Sequence, residues 1–226
     1  MKQFFYKPVK ETGKDENFLF WCCMHSGHDP KWEIPLWKRR GYNSAEEHTV
    51  GILNAWNRKA NKDTVGFLLG DNIFGDGAED RLKDLLEKME FNRLYIMSGN
   101  HCAGWKQIFE GCGNGNIYET KNHKEVVFVP NYLEAYVNKQ PIVMCHYPIL
   151  SWNGMADGSW MLFGHVHGSL TNSELGRMYL EKAGKVLEVS VEVAPEPLTF
   201  GEIRTIMKTK GVKEIDHHVK GIQNPF

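Results

Sequence analysis

The stretch Val65-Gly66-Phe67-Leu68-Leu69-Gly70-Asp71 decides how the chain reads. Its apolar run has the length of a buried strand, and a glycine at the carboxyl end hands directly to one carboxylate. Open α/β sheets hold their ligands just beyond the carboxyl ends of strands. Four further strand-like runs finish in the same manner. Residues 18–23 lead into Met24-His25-Ser26-Gly27-His28, and residues 94–97 into Ser98-Gly99-Asn100-His101. Residues 141–145 lead into His146, and residues 160–163 into Gly164-His165-Val166-His167. Strand ends loaded with Asp, Asn and His suit first-row divalent metals, and they point to a polynuclear site with Asp71 as its bridge.

The segments around these strands set the fold class. Residues 1–17 read as a short strand and a polar turn. Residues 29–43 are aromatic and basic without periodicity, and read as a loop flanking the site. Ser44-Ala45-Glu46-Glu47 is a capping box. The helix it opens fades near Asn61 and carries Val50, Leu53 and Trp56 on one face. A second amphipathic helix spans about 79–90, with Leu82, Leu85, Leu86 and Met89 inward. Strand, helix, strand, helix, strand in succession implies a parallel sheet. Residues 111–125 read as a Gly- and Asn-rich surface loop. Short strands at 126–129, 133–137, 142–145 and 160–163 suggest a second sheet. Thr199-Phe200-Gly201-Glu202 is another capping box, opening a helix with Ile203, Ile206 and Met207 inward. No repeat or linker divides the chain, so the expectation is a single α/β domain over residues 1–226.

Composition bounds the function. The chain has 226 residues, 42 % hydrophobic and 24 % charged, an ordinary globular balance with length enough for a real core. A formal net charge of −1 gives no electrostatic case for nucleic acid or an anionic membrane, although a local basic patch stays open. The first residues lack a signal-peptide apolar region, and the longest apolar run, 18–24, falls far short of the roughly 20 residues that span a bilayer. Five cysteines form no regular framework, which favours a reduced, cytoplasmic setting. Oligomeric state is not legible.

Each motif is weak alone. A Gly-Asp after a strand is commonly a turn, and a histidine such as His146 is commonly a satisfied core residue. Gly-His-x-His is stronger, because strand alternation puts both imidazoles on one face. Their joint occurrence in one order is what matters. His25 with His28, Gly70-Asp71, Gly99-Asn100-His101, His146 and Gly164-His165-Val166-His167 together resemble the ordered motifs of calcineurin-like metallophosphoesterases. The stretch Cys145-His146-Tyr147-Pro148-Ile149-Leu150-Ser151-Trp152-Asn153-Gly154-Met155 is similar to a small single-domain branch of bacteria and phages. The resemblance covers about residues 17–205.

That resemblance implies a two-sheet α/β sandwich flanked by helices, with metals held between strand ends. It implies a dinuclear phosphoesterase using two divalent transition metal ions (Mn, Fe or Zn) and a small phosphate-ester substrate, monoester or diester. Asp71 would bridge the ions; His25 and His167 would bind the first, Asn100, His146 and His165 the second. His101 would be the catalytic histidine, Asn100 would lie close to the phosphoryl oxygens, and metal-bridging hydroxide would attack phosphorus in line. Two positions depart from the pattern. Cys23 stands where the first-metal Asp belongs, and Cys102 where a carboxylate would orient His101. Cys23 reads either as a thiolate ligand favouring Zn or Fe, or as a small buried residue beside a weakened first site; Asp29 is a nearby carboxylate that could compensate. Cys102 reads as packing.

His28 reads as reaching the phosphate or as hydrogen-bonding near the first strand. Arg39 and Arg40 read as substrate contacts or as a solvated turn, His217-His218 as exposed, and Trp152 and Trp160 as packing around the site mouth. The alternative function is a catalytically weakened member serving as a binding or scaffold module. A nuclease would want a basic groove that the net charge does not supply.

Overall fold

The computed structural model describes residues 8–31, 33–101, 117–129 and 131–213. One sheet is built from β2 (Phe18–Trp21), β3 (Val65–Leu68), β4 (Arg93–Met97), β5 (Ile117–Glu119), β6 (Glu125–Val129) and β11 (Leu198–Thr199), in the order β11-β2-β3-β4-β6-β5. Its four inner strands are parallel, and β5 and β11 close the edges antiparallel. The other holds β1 (Val9–Glu11), β7 (Tyr132–Val137), β8 (Gln140–Cys145), β9 (Trp160–Phe163) and β10 (Val186–Glu188), ordered β1-β7-β8-β9-β10. There β7 and β8 form an antiparallel hairpin, while β9 and β10 run parallel to β8.

Side-chain alternation explains why the two sheets face each other. Phe18, Phe20 and Cys22 point inward with Phe67, Leu69, Tyr95 and Met97, against Leu133, Ala135, Ile142, Met144 and Leu162 of the other sheet. Register places Phe20, Phe67 and Tyr95 side by side, and their rings stack at 4.9 and 5.0 Å between centroids. Each such pair adds about 0.5–1.5 kcal/mol beyond area burial. The alternate residues Leu19, Trp21, Leu68, Leu94 and Ile96 face outward under α2 (Ala45–Lys59) and α3 (Ala78–Lys88). On the far side Val143, Met161 and Phe163 pack with Trp152, Met155 and α4 (Glu174–Lys182). The result is a helix–sheet–sheet–helix sandwich. Parallel strands joined by α2 and α3 put the carboxyl ends of β2, β3 and β4 at one edge. That edge is tied to the ends of β8 and β9 by bonds such as His146 Nδ1–H to Leu69 O, at 2.9 Å, and His165 N–H to Cys23 Sγ, at 3.1 Å.

Several expectations need correction. Residues 126–129 do not join the second sheet: β6 lies beside β4 in the first, in register from Arg93–Glu125 to Met97–Val129. Within the expected loop 111–125, Ile117–Glu119 form β5, whose apolar Ile117 and Tyr118 suit an edge strand. The loop 29–43 contains a short helix, α1 (Leu36–Arg39). The buried face of α2 is His48, Ile52, Ala55 and Trp56, and Val50 is 54 % exposed. Val50 sits two residues, about 200°, away from Ile52 around the helix. At the start of α2 only half of the expected box forms: Ser44 Oγ accepts from Glu47 N–H, but Glu47 Oε2 accepts from Asn43 N–H rather than from Ser44. The box at Thr199 and Glu202 is complete and opens α5 (Phe200–Lys208), which buries Phe200, Ile203 and Met207 and leaves Ile206 half-buried. Trp160 starts β9 and stacks on Phe200 in the inter-sheet core, at the end of the strand remote from the site. Trp152 is buried in the outer cluster with its Nε1–H on Ser159 Oγ. Both are packing residues, and neither frames the site mouth. Trp32, Cys102, Cys112, His217 and His218 lie outside the described residues.

Candidate metal centre

Asp71 follows β3 across Gly70, whose φ of +107° brings the turn against His146. A Cβ at Gly70 would lie 2.5 Å from His146 Nδ1, and one at Gly99 only 2.1 Å from Asp71 Oδ1. These contacts explain why glycine precedes both Asp71 and Asn100. The site also gathers unusual backbone. Of the eight non-glycine residues with positive φ among those described, five are Cys23, Asp71, His25, His165 and His167. Such conformations persist where surrounding structure fixes them, and they concentrate at functional sites.

Two groups of side chains meet at Asp71. In the first, Cys23 Sγ and ring nitrogens of His25 and His167 lie within 4.8 Å of one another. His25 Nε2 and His167 Nε2 are 3.2 Å apart. In the second, Asp71, His146 and His165 are grouped equally tightly, and Asn100 Oδ1 stands 3.0 Å from His146 Nε2 and 2.9 Å from His165 Nδ1. One carboxylate oxygen lies between the groups: Asp71 Oδ2 is 3.6 Å from His25 Nε2 and 3.2 Å from His146 Nε2. Asp71 Oδ1 accepts from His101 N–H at 2.9 Å.

The electrostatics agree with a cation site. Burial raises the Asp71 carboxyl, but the His146 hydrogen bond and the nearby imidazoles outweigh it and hold the pKa at about 2. Burial likewise pushes the Cys23 thiol up, yet hydrogen bonds with Cys22, His167 and His25 bring it well below the usual thiol value. Cys23 Sγ also accepts from His165 N–H at 3.1 Å. Cys22, by contrast, is raised by burial, and its thiol donates to Leu69 O. His146 Nδ1–H donates to Leu69 O at 2.9 Å, which turns the Nε2 lone pair toward Asp71 and Asn100. Lone pairs that converge from nitrogen and two oxygens are reconciled by a proton or by a metal ion. A second hydrogen bond of this kind, from the remote ring nitrogen to a carbonyl, is the usual support of a metal-binding histidine. Thiolate and imidazole donors fit Zn or Fe at the first group, and imidazole with amide and carboxylate oxygen fits Mn, Fe or Zn at the second.

His165 and His167 do not share a strand face, as alternation implied. β9 ends at Phe163, and positive φ at both histidines sends His165 to Asn100 and His167 to His25. Leaving the strand is what lets one dipeptide step serve both groups. Gly168 N–H donates to the buried Glu188 carboxylate at 2.7 Å and tethers the turn that follows. His28 Nδ1 accepts from Leu36 N–H, and its ring packs on Phe74 with centroids 4.3 Å apart. His28 lines a cleft of about 440 Å³ with His25, Glu33, Arg39, His101 and His167, a volume suited to a small ligand. His101 is exposed, its ring 5.6 Å from that of His25.

Asp29 does not compensate for Cys23: it is exposed and accepts from Trp37 Nε1–H. The carboxylate beside the first group is Glu192, 2.8 Å from His167 Nδ1. Arg40 is not a solvated turn residue: its side chain is buried against Glu192 and the carbonyls of Cys23 and Met24, on the wall of the same cleft. Arg39 stays exposed at the cleft, 3.5 Å from Glu33. The sequence signal for Glu192 is faint, a lone acid in the β-branched alternation Val189-Ser190-Val191-Glu192-Val193.

No family model and no curated protein matches the chain. A solved structure, that of the protein of unknown function AQ665 from Aquifex aeolicus, aligns over 84 % of this chain and 98 % of its own, with a TM-score of 0.58 and 14 % identity. At that identity the likeness speaks to the fold alone. No helix among the described residues is long and apolar enough to cross a membrane.

Proposed function

We propose that the chain is a dinuclear metal-dependent phosphoesterase of the calcineurin-like type, acting on a phosphomonoester or phosphodiester. One observation carries the reading: a single oxygen, Asp71 Oδ2, stands between two complete donor groups. Cys23, His25 and His167 would hold one ion, Asn100, His146 and His165 the other, and Asp71 would be shared. The ions would supply phosphoryl charge neutralisation and a water-derived nucleophile at neutral pH.

The chain's own groups account for the remaining needs of ester hydrolysis. His101 is anchored by its backbone to Asp71, and its exposed ring stands on the cleft wall, where it can protonate a leaving oxygen. Asn100 commits Oδ1 to the second group and keeps its amide N–H₂ as a donor for a phosphoryl oxygen. His28, Leu36 and Arg39 line the space left for the substrate's alcohol portion. Arg39 brings a guanidinium suited to an anion.

The test is a screen of an aryl phosphate and an aryl phosphodiester with Mn, Zn and Fe. Metal-dependent turnover lost in Asp71→Asn supports the reading. Failure to hydrolyse either ester with any of the three metals contradicts it.

A further inference from the structure

We propose that Glu192, clamped by Arg40, is the positioning residue for the first ion: it fixes His167 with Nε2 free to bind metal. The inference rests on the proposed metal centre and adds to it a carboxylate outside the ligand groups. Glu192 Oε1 lies 2.8 Å from His167 Nδ1, while His167 Nε2 faces His25 Nε2 at 3.2 Å. The Nδ1 approach is close but bent from ideal hydrogen-bond geometry. A carboxylate in that place selects the Nδ1–H tautomer and strengthens the other nitrogen as a donor.

Arg40 makes this arrangement rigid and links it to the opposite ligand loop. Its Nη2 and Nε donate to Glu192 Oε1 at 2.6 and 3.1 Å. The same guanidinium donates to Cys23 O and Met24 O, both at 2.8 Å. Those carbonyls belong to the turn in which Cys23 and His25 adopt φ of +59° and +49°. Nη1 also meets His48 Nε2 at 3.0 Å. One planar fork therefore fixes Cys23 and His25 on one side of the first group and, through Glu192, His167 on the other. A lysine has the charge without the fork. Among the described residues nothing comparable joins Arg40 to Asn100, His146 or His165, so the brace serves the first group alone.

The experiment is a cobalt(II) titration of the metal-stripped full chain, with a competing chelator to give both affinities. Thiolate-to-cobalt absorption reports the Cys23 site. The wild type should take two ions. Glu192→Ala should weaken the thiolate-bearing site about 10–100-fold, the usual worth of such a support, and leave the other within about twofold. Glu192→Gln, which keeps the shape and loses the charge, and Arg40→Lys should each weaken the same site alone. Two outcomes overturn the inference: wild-type affinity at both sites in Glu192→Ala and Glu192→Gln, or equal losses at both sites in Glu192→Gln, the mark of a merely structural ion pair. A wild type that binds no cobalt is a different failure, because it removes the metal centre itself and the inference with it.

Discussion

Replacing Gly99 by Ala perturbs the centre without touching a donor atom. The added Cβ would sit 2.1 Å from Asp71 Oδ1 and 2.6 Å from Asp71 N, where ordinary contact begins at 3.4 Å. The carboxylate or the Gly99 turn must therefore move by roughly 1 Å, a misplacement that costs about 100-fold where reacting groups need alignment. Asp71 cannot yield easily, since its backbone is pinned by His25 N–H on Asp71 O at 2.8 Å and its side chain by His101 N–H. Overpacking of this kind costs about 1–3 kcal/mol of stability, so the variant should still fold. Elemental analysis after equilibrium dialysis against zinc should show loss of both ions, because the displaced oxygen is common to both groups. Metal-dependent phosphoesterase turnover should fall about 100-fold with it. A folded Gly99→Ala protein that retains two ions at wild-type affinity would refute the claim that Asp71 is held in register by the absence of that Cβ.

Other perturbations separate the roles of individual residues. His101→Ala should leave ion content near wild type and lower turnover about 10²–10⁴-fold, with a smaller loss for aryl than for alkyl phosphates; equal losses would assign His101 to binding instead of proton transfer. Cys23→Asp should shift metal preference toward Mn, and Cys23 in the zinc-loaded wild type should resist alkylation until a chelator is added, which rapid labelling of loaded protein would contradict. His48 gives a pH signature of stability. Its folded pKa is lowered to about 4 by burial and by Arg40, so the unfolded chain binds the extra proton between about pH 6.5 and 4 and stability falls as pH drops through that window. The loss due to His48 is about 3 kcal/mol at most. Denaturant unfolding of metal-free His48→Gln should therefore lose less stability than wild type between pH 7 and 4, and parallel curves would contradict the assignment.

Much of this architecture was legible because apolar runs and strand ends carry it. The continuous apolar runs at 18–23 and 65–69 marked buried strands, and both helices between the parallel strands showed their start or their apolar face. The donor residues were legible as chemistry at strand ends, and all that lie among the described residues converge. What escaped has physical causes. β6 reads like any short strand, and only pairing with β4 assigns its sheet. The helix α4 went unread because Leu175 is 79 % and Met178 52 % exposed, so its apolar residues do not mark the buried side. Period-2 reasoning put His165 and His167 on one face, whereas positive φ at both breaks the period. Glu192 and Arg40 are 152 residues apart, and a charge pair formed only by tertiary folding leaves no local pattern.

Whether Asp71 joins two ions can be seen by crystallographic anomalous scattering of zinc-soaked protein. Two zinc peaks about 3.5–4 Å apart are expected, one beside Cys23, His25 and His167, the other beside Asn100, His146 and His165, with Asp71 Oδ2 between them. A fully soaked crystal with a single peak, or with zinc bound only away from Asp71, would contradict that bridging role.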